Sequence, residues 1–201
     1  MEKEVRFLEG NLEVRELGEE KEIHLQGYAI TFDSLSENMG GFKEIIKRSA
    51  LDNCDLSNVV LCYNHDMSKI MARNTKVEGI GSLTLKVDEK GLFFDAIPTD
   101  TTYFRDLLEN MKAGIVGKCS FAFTIDESDP NSQLWEWDNG SKGYSLRTIL
   151  KIFKIYELSI VISPAYENTS ATAYQRALDK ATKEFENEKE LELIKLELEL
   201  M

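Results

Sequence analysis

Residues 83–94 read LTLKVDEKGLFF. Leu83, Leu85 and Val87 alternate with Thr84 and Lys86, the period of two that puts one face of a strand in the core, and Asp88-Glu89-Lys90-Gly91 supplies a turn before Leu92-Phe93-Phe94 resumes. This is a β-hairpin, and it sets the pattern for its surroundings. Toward the N-terminus, Val59–Tyr63 is a short apolar strand. Val5, Phe7, Leu12 and Val14, then Ile23, Leu25, Tyr28, Ile30 and Phe32, mark two extended stretches separated by a turn at Gly18-Glu19-Glu20-Lys21. Toward the C-terminus, residues 119–125 alternate again and residues 146–163 form one long β-branched strand region, with a bulge expected near Lys151–Lys154 and an end at Pro164. Residues 127–145 collect Pro, Asn, Gly and Ser as a surface excursion.

Three segments carry helical spacing. Phe42, Ile45, Ile46 and Ala50 after Gly40-Gly41 predict a short amphipathic helix over 42–51. Thr102 can cap a second, whose stripe is Tyr103, Phe104, Leu107, Leu108 and Met111 and whose stop is Gly114. In the third, Leu191, Leu193, Leu196, Leu198 and Leu200 nearly alternate like a strand. Leu191, Ile194, Leu198 and Met201 also fit a helix, which the abundance of Glu, Leu and Lys favours. The expected fold is mainly β (α+β): a closed or nearly closed antiparallel β-barrel with a few surrounding helices over residues 1–174, followed by an acidic helical tail, 175–201.

The chain has 201 residues, 42% hydrophobic and 30% charged, with only 3 Pro and 12 Gly, so it is long enough and apolar enough for one real core. Its formal net charge of −12 and the absence of a Lys/Arg cluster argue against nucleic acid or an anionic membrane as partner. Acidity gathers at the ends: eight Glu against four bases in residues 1–22, and eight acids against four bases in 179–201. Cys54, Cys62 and Cys119 are odd in number and unpaired in spacing, which suits a reducing compartment. No signal core or spanning run occurs, so neither export nor membrane insertion is expected.

Polar residues lodged in apolar strands are the candidates for chemistry, because burying them is costly without partners. Three places qualify: His65 at the end of VVLCYNHD, Ser120 in GKCSFAFTI, and Glu157 in KIYELSIVISPA. A hydroxyl, an imidazole and a carboxylate are the parts of a nucleophile, its base and the base's orienter. Each also has an ordinary reading. Alternation puts Ser120 with Ala122 and Thr124 on the face opposite Cys119, Phe121 and Phe123, where a solvated serine is the commoner outcome and an opening to substrate the more informative one. His65 competes with His24, the other histidine, and could equally cap a strand end. Glu157 shares a face with Ile155, Ser159 and Val161 and could equally be an ion-pair partner. Two isolated histidines make a zinc site improbable, and neither a Gly-rich phosphate cradle nor GxSxG is present.

The order and wording of four segments resemble the prohead (procapsid) maturation proteases of tailed phages, which are distantly similar to the herpesvirus capsid assembly proteases. The segments are GYAITFDSLSENMGGFKEII, LCYNHD, LLENMKAGIVGKCSFAFTI and IYELSIVISPAYENTSATAY, within residues 5–176. The resemblance implies a herpesvirus-protease-like barrel in which Ser120 is the nucleophile, His65 the general base and Glu157 the third member, working without metal or organic cofactor. It further implies a serine endopeptidase that cleaves scaffold protein or the scaffolding arm of the major capsid protein, and itself, inside the assembling procapsid in the host cytoplasm. A homo-oligomer is among the partnerships it allows. Two other readings stand beside it: a protease-like scaffold or capsid-binding protein that has lost catalysis, and a small-molecule serine hydrolase on the same barrel.

Overall fold

The computed structural model describes residues 3–8, 12–17, 22–161 and, in the tail, 182–183, 185–187 and 189–195. Over residues 3–161 the elements run in the order β1 (Glu4–Leu8), β2 (Glu13–Leu17), β3 (Glu22–Thr31), β4 (Phe42–Ile46), β5 (Val60–Tyr63), β6 (Asp66–Arg73), β7 (Leu83–Val87), β8 (Gly91–Ala96), α1 (Thr102–Lys112), β9 (Lys118–Thr124), β10 (Gln133–Glu136), β11 (Ser145–Ile149) and β12 (Lys154–Val161). The turn expected at 18–21, the strand end at Pro164 and the 174/175 boundary lie outside the described residues. The described residues between 182 and 195 are helical.

The chain is mainly β, but the expected antiparallel barrel does not form. Hydrogen bonding divides the strands into three open sheets, β1-β9-β12-β5-β6, β10-β11-β4 and β2-β3-β8-β7. Closure would require β6 and β7 to pair, and they meet only through a single bridge, Arg73 to Ser82. Between them the backbone takes positive φ at Gly79 and Gly81, which breaks the extended run before a ladder can propagate. Two of the sheets are also mixed rather than antiparallel, since β12 runs parallel to β5 and β11 parallel to β4, while β2-β3-β8-β7 is antiparallel throughout.

The 83–94 hairpin is present, with Val87 opposite Leu92. Gly91 is required there, because a Cβ would lie 1.8 Å from the Ile30 carbonyl oxygen on β3. The helix expected at 42–51 is instead strand β4 followed by a 3-10 turn at Arg48–Leu51. Phe42, Glu44 and Ile46 alternate inward, and parallel pairing with β11 outweighs the 3.6-residue spacing that the same apolar residues also satisfy. The region from 146 onward is two strands in different sheets, not one. Helix α1 starts one residue earlier than expected, with the Thr101 hydroxyl oxygen accepting the Phe104 N–H, and Gly114 takes the left-handed conformation just past its end. The core gathers the inner faces of the sheets and the Phe104, Leu107 and Leu108 face of α1.

Candidate active site

Three strands of the five-stranded sheet bring the candidate residues together. β9 lies between β1 and β12 and is buried on both faces, so Ser120 is 0% exposed, and neither the solvated serine nor the substrate-open face expected from alternation is found. Its cross-strand partners are Phe7 on β1 and Ser159 on β12. The Ser120 hydroxyl donates to the Arg6 backbone carbonyl of β1 at 2.8 Å.

β12 reaches this face through a bulge. Ile155 opposes Phe123 and Glu157 opposes Ala122, so the extra residue, Tyr156, shifts the alternation by one. Without it Ile155 and Glu157 would share a face. With it Ile155 joins the core beside Phe123, and Glu157 and Ser159 turn to the face of Ala122 and Ser120.

His65 comes from the hairpin joining β5 and β6. Tyr63 opposes Asp66, and the two residues between them, Asn64 and His65, have φ of 52° and 59°, the left-handed pair that a two-residue type I′ turn demands. Asn and His enter this region more readily than most non-glycine residues, yet it remains uncommon, and such backbone is retained where surroundings enforce it. Here the surroundings are β12. The Asn64 N–H donates to the Ile160 carbonyl at 2.9 Å, and the His65 N–H to the Ser159 Oγ at 2.8 Å. The imidazole Nδ1 then lies 2.6 Å from Glu157 Oε1. An ionised carboxylate only accepts, so Nδ1 carries the proton in this contact and Nε2 is the basic nitrogen of the neutral ring.

Around this pair, the Cys62 thiol donates to Glu157 Oε2 at 3.6 Å, and the Ser159 hydroxyl donates to the Cys62 carbonyl at 3.4 Å. Burial, and next the Glu157 charge, push the Cys62 thiol up to about 12, so it is a protonated donor rather than a thiolate. Burial pushes Cys119 to about 12 as well. His24 lies in another sheet, with its Nδ1 2.7 Å from Asp95 Oδ1, and takes no part. Among the described residues, no group of three or more His, Cys, Asp or Glu could hold a metal ion, and no helix is long and apolar enough to cross a membrane.

Ser159 did not emerge from the sequence as a candidate, although a serine two residues beyond a strand carboxylate, in an otherwise apolar run, is itself a signal. It links the assembly, since it bonds the backbone of His65 and stands directly across from Ser120. Opposed residues of an antiparallel pair have Cβ atoms about 4.5–5.5 Å apart. Ser120 and Glu157 thus lie on one face of the sheet and Glu157 holds the His65 imidazole, so the hydroxyl, imidazole and carboxylate that acyl-transfer chemistry uses come from neighbouring elements.

The chain belongs to the Caudovirus prohead serine protease family, whose model matches residues 10–184. Among solved structures it is similar to the bacteriophage T4 capsid assembly protease, gp21, at 11% identity and a TM-score of 0.46, over 82% of this chain and 100% of that one. No curated protein matches it.

Proposed function

We propose that this protein is a serine endopeptidase of phage capsid maturation, acting inside the assembling procapsid in the host cytoplasm on scaffold or on the scaffolding arm of the major capsid protein, and on itself. The observation that carries the catalytic reading is the 2.6 Å contact of His65 Nδ1 with Glu157, made beside the residue that faces Ser120. Ser120 Oγ turns about χ1 from the Arg6 carbonyl toward the imidazole, and His65 Nε2 takes its proton as Oγ attacks the scissile carbonyl carbon. The tetrahedral intermediate collapses as the imidazolium returns that proton to the leaving amine. Water then repeats the sequence on the acyl-enzyme. Glu157 holds the tautomer and offsets the transient positive charge.

The test is co-expression with capsid and scaffold proteins, alongside labelling by a fluorophosphonate. Native chain should cleave scaffold and take one label at Ser120, and Ser120→Ala should do neither while keeping its fold. Scaffold cleaved normally by Ser120→Ala would refute the assignment.

A further inference from the structure

The 127–145 excursion and the 3-10 turn at Arg48–Leu51 flank a cleft that the candidate triad does not use. Its volume is 470 Å³, and its walls come from within residues 49–53, 126–132 and 150–153. Backbone bonds fix that frame. The Ser132 carbonyl accepts the Leu150 and Lys151 N–H groups at 2.9 and 3.0 Å, and the Ala50 carbonyl accepts the Ile152 N–H at 2.8 Å. The Phe153 N–H donates to the Thr124 carbonyl of β9 at 2.8 Å. Thr124 lies four residues beyond Ser120, so the cleft begins roughly 13 Å along the strand from the candidate nucleophile.

Ser132 lines this cleft and is 1% exposed, yet its hydroxyl has no hydrogen-bond partner among the described residues. A buried hydroxyl is costly without a partner, so one left open on a cleft wall points to a ligand. Three carboxylates share the cleft with it. Asp129 is occupied by Lys151, whose Nζ lies 2.7 Å from Oδ2. Asp126 receives the Ser128 N–H and hydroxyl on Oδ1 alone, at 3.0 and 2.6 Å, and Asp52 is exposed. The bonds from Ser128 hold the Asp126 carboxyl below its ordinary range, so it is an anion at neutral pH. The carboxylates do not converge on a metal position, and their charge is laid out for a cation of larger span. Phe153, 48% exposed, and Leu150 add apolar surface beside them.

A guanidinium on its three-carbon stem matches this set. It is planar, weakly hydrated and rich in donors, so it can bond separated carboxylates and a hydroxyl together, stack on an aromatic ring and lay its stem on apolar surface. An ammonium is a compact point charge and does this less well. The net charge of −12 draws such a ligand in.

We propose that this cleft is a docking site for an arginine side chain of a peptide partner, the stem lying on Phe153 and Leu150 and the guanidinium reaching Asp52, Asp126 and the Ser132 hydroxyl. The site does not depend on the reading of Ser120 as nucleophile.

The probe is the peptide acetyl-GARAG-amide, titrated into the full-length Ser120→Ala chain so that self-cleavage plays no part, with backbone amide shifts read by NMR. Shifts should concentrate in residues 49–53, 126–132 and 150–153 and spare 63–66 and 157–160. A peptide with citrulline for arginine, the same shape without the charge, should bind at least about tenfold more weakly. Asp52→Asn combined with Asp126→Asn should weaken the arginine peptide about tenfold, as two partly exposed charge contacts warrant. Phe153→Leu should weaken it about threefold. Ser132→Ala should weaken it as well while leaving Tm unchanged or higher, because the free protein loses an unpartnered hydroxyl rather than a bond. A serine serving only the fold would show the reverse. Equal binding of the arginine and citrulline peptides, shifts centred elsewhere, or no binding at millimolar peptide overturns the site. So does full affinity in the double Asp variant or in Ser132→Ala, or displacement of the peptide by millimolar Ca²⁺.

Discussion

The hydroxyl oxygen of Ser159 accepts the backbone N–H of His65 at 2.8 Å, in a turn whose left-handed backbone positions the imidazole against Glu157. Ser159 touches no reacting atom; its effect passes through His65. Replacing it with Ala leaves a turn N–H without its acceptor, a loss of about 1–3 kcal/mol in stability. It also lets His65 drift, and a misplacement near 1 Å costs about 10²-fold in rate. Ser159→Ala should therefore lower kcat by roughly 10- to 100-fold with KM little changed, and Ser159→Thr, which keeps the oxygen, should recover most of it. Equal loss in both variants, tracking Tm alone, would reduce Ser159 to a packing residue.

Glu157→Gln preserves shape and removes charge. The amide can present its NH2 to Nδ1 and so select the wrong tautomer, and it no longer offsets the imidazolium. A drop in kcat on the order of 10³- to 10⁴-fold is expected, as for the equivalent change in a Ser-His-Asp triad. Steady-state kinetics on a peptide substrate measure the effect.

How much of this site is legible in the sequence depends on what each residue needs from its neighbours. The 83–94 hairpin is legible because its alternation and its Gly turn are local. His65, Ser120 and Glu157 are legible as polar residues in apolar runs; the structure puts Ser120 and Glu157 on one sheet face and bonds His65 to Glu157. The facing of Glu157 is not, because a single bulge residue, Tyr156, reverses it relative to Ile155. Strand β4 is not, because Phe42 and Ile46 satisfy helix and strand spacing alike, and only the partner β11 decides between them. Nor is the open sheet: an isolated bridge between Arg73 and Ser82, in place of a ladder, depends on where two glycines turn the chain.

Thiol reagents separate the serine reading from a cysteine one. Cys62 and Cys119 are buried, with thiols pushed to about 12, whereas Cys54 is partly exposed and also pushed to about 12, chiefly by burial. Iodoacetamide at neutral pH should leave Cys62 and Cys119 unmodified in the native protein and modify them once it is unfolded in urea, with proteolysis surviving native treatment. Peptide mapping after each treatment checks this, and inactivation in step with alkylation of Cys62 or Cys119 would contradict it.

Acid should loosen the N-terminal strand before the rest of the sheet. Burial by itself raises the Glu4 carboxyl, but Arg6 and Arg147 outweigh it and hold the group at about 2, against an ordinary 4.5. A depressed carboxyl contributes stability that is complete above its unfolded value and is lost as pH falls through the interval from 4.5 to about 2. At 1.36 kcal/mol per unit the contribution is about 3 kcal/mol. Glu4→Gln, neutral at every pH, should remove this acid dependence and lower stability at neutral pH. Hydrogen exchange of residues 4–8 should accelerate between pH 4.5 and 2.5 in the native chain, ahead of β9 and β12, and already be fast at pH 6 in Glu4→Gln. Because Arg6 keeps its own contact with Glu44, the detachment should be partial in Glu4→Gln and more complete when Arg6 is replaced as well. Identical exchange of β1 in native and variant chains would show that the ladder to β9, rather than the buried charges, holds the strand.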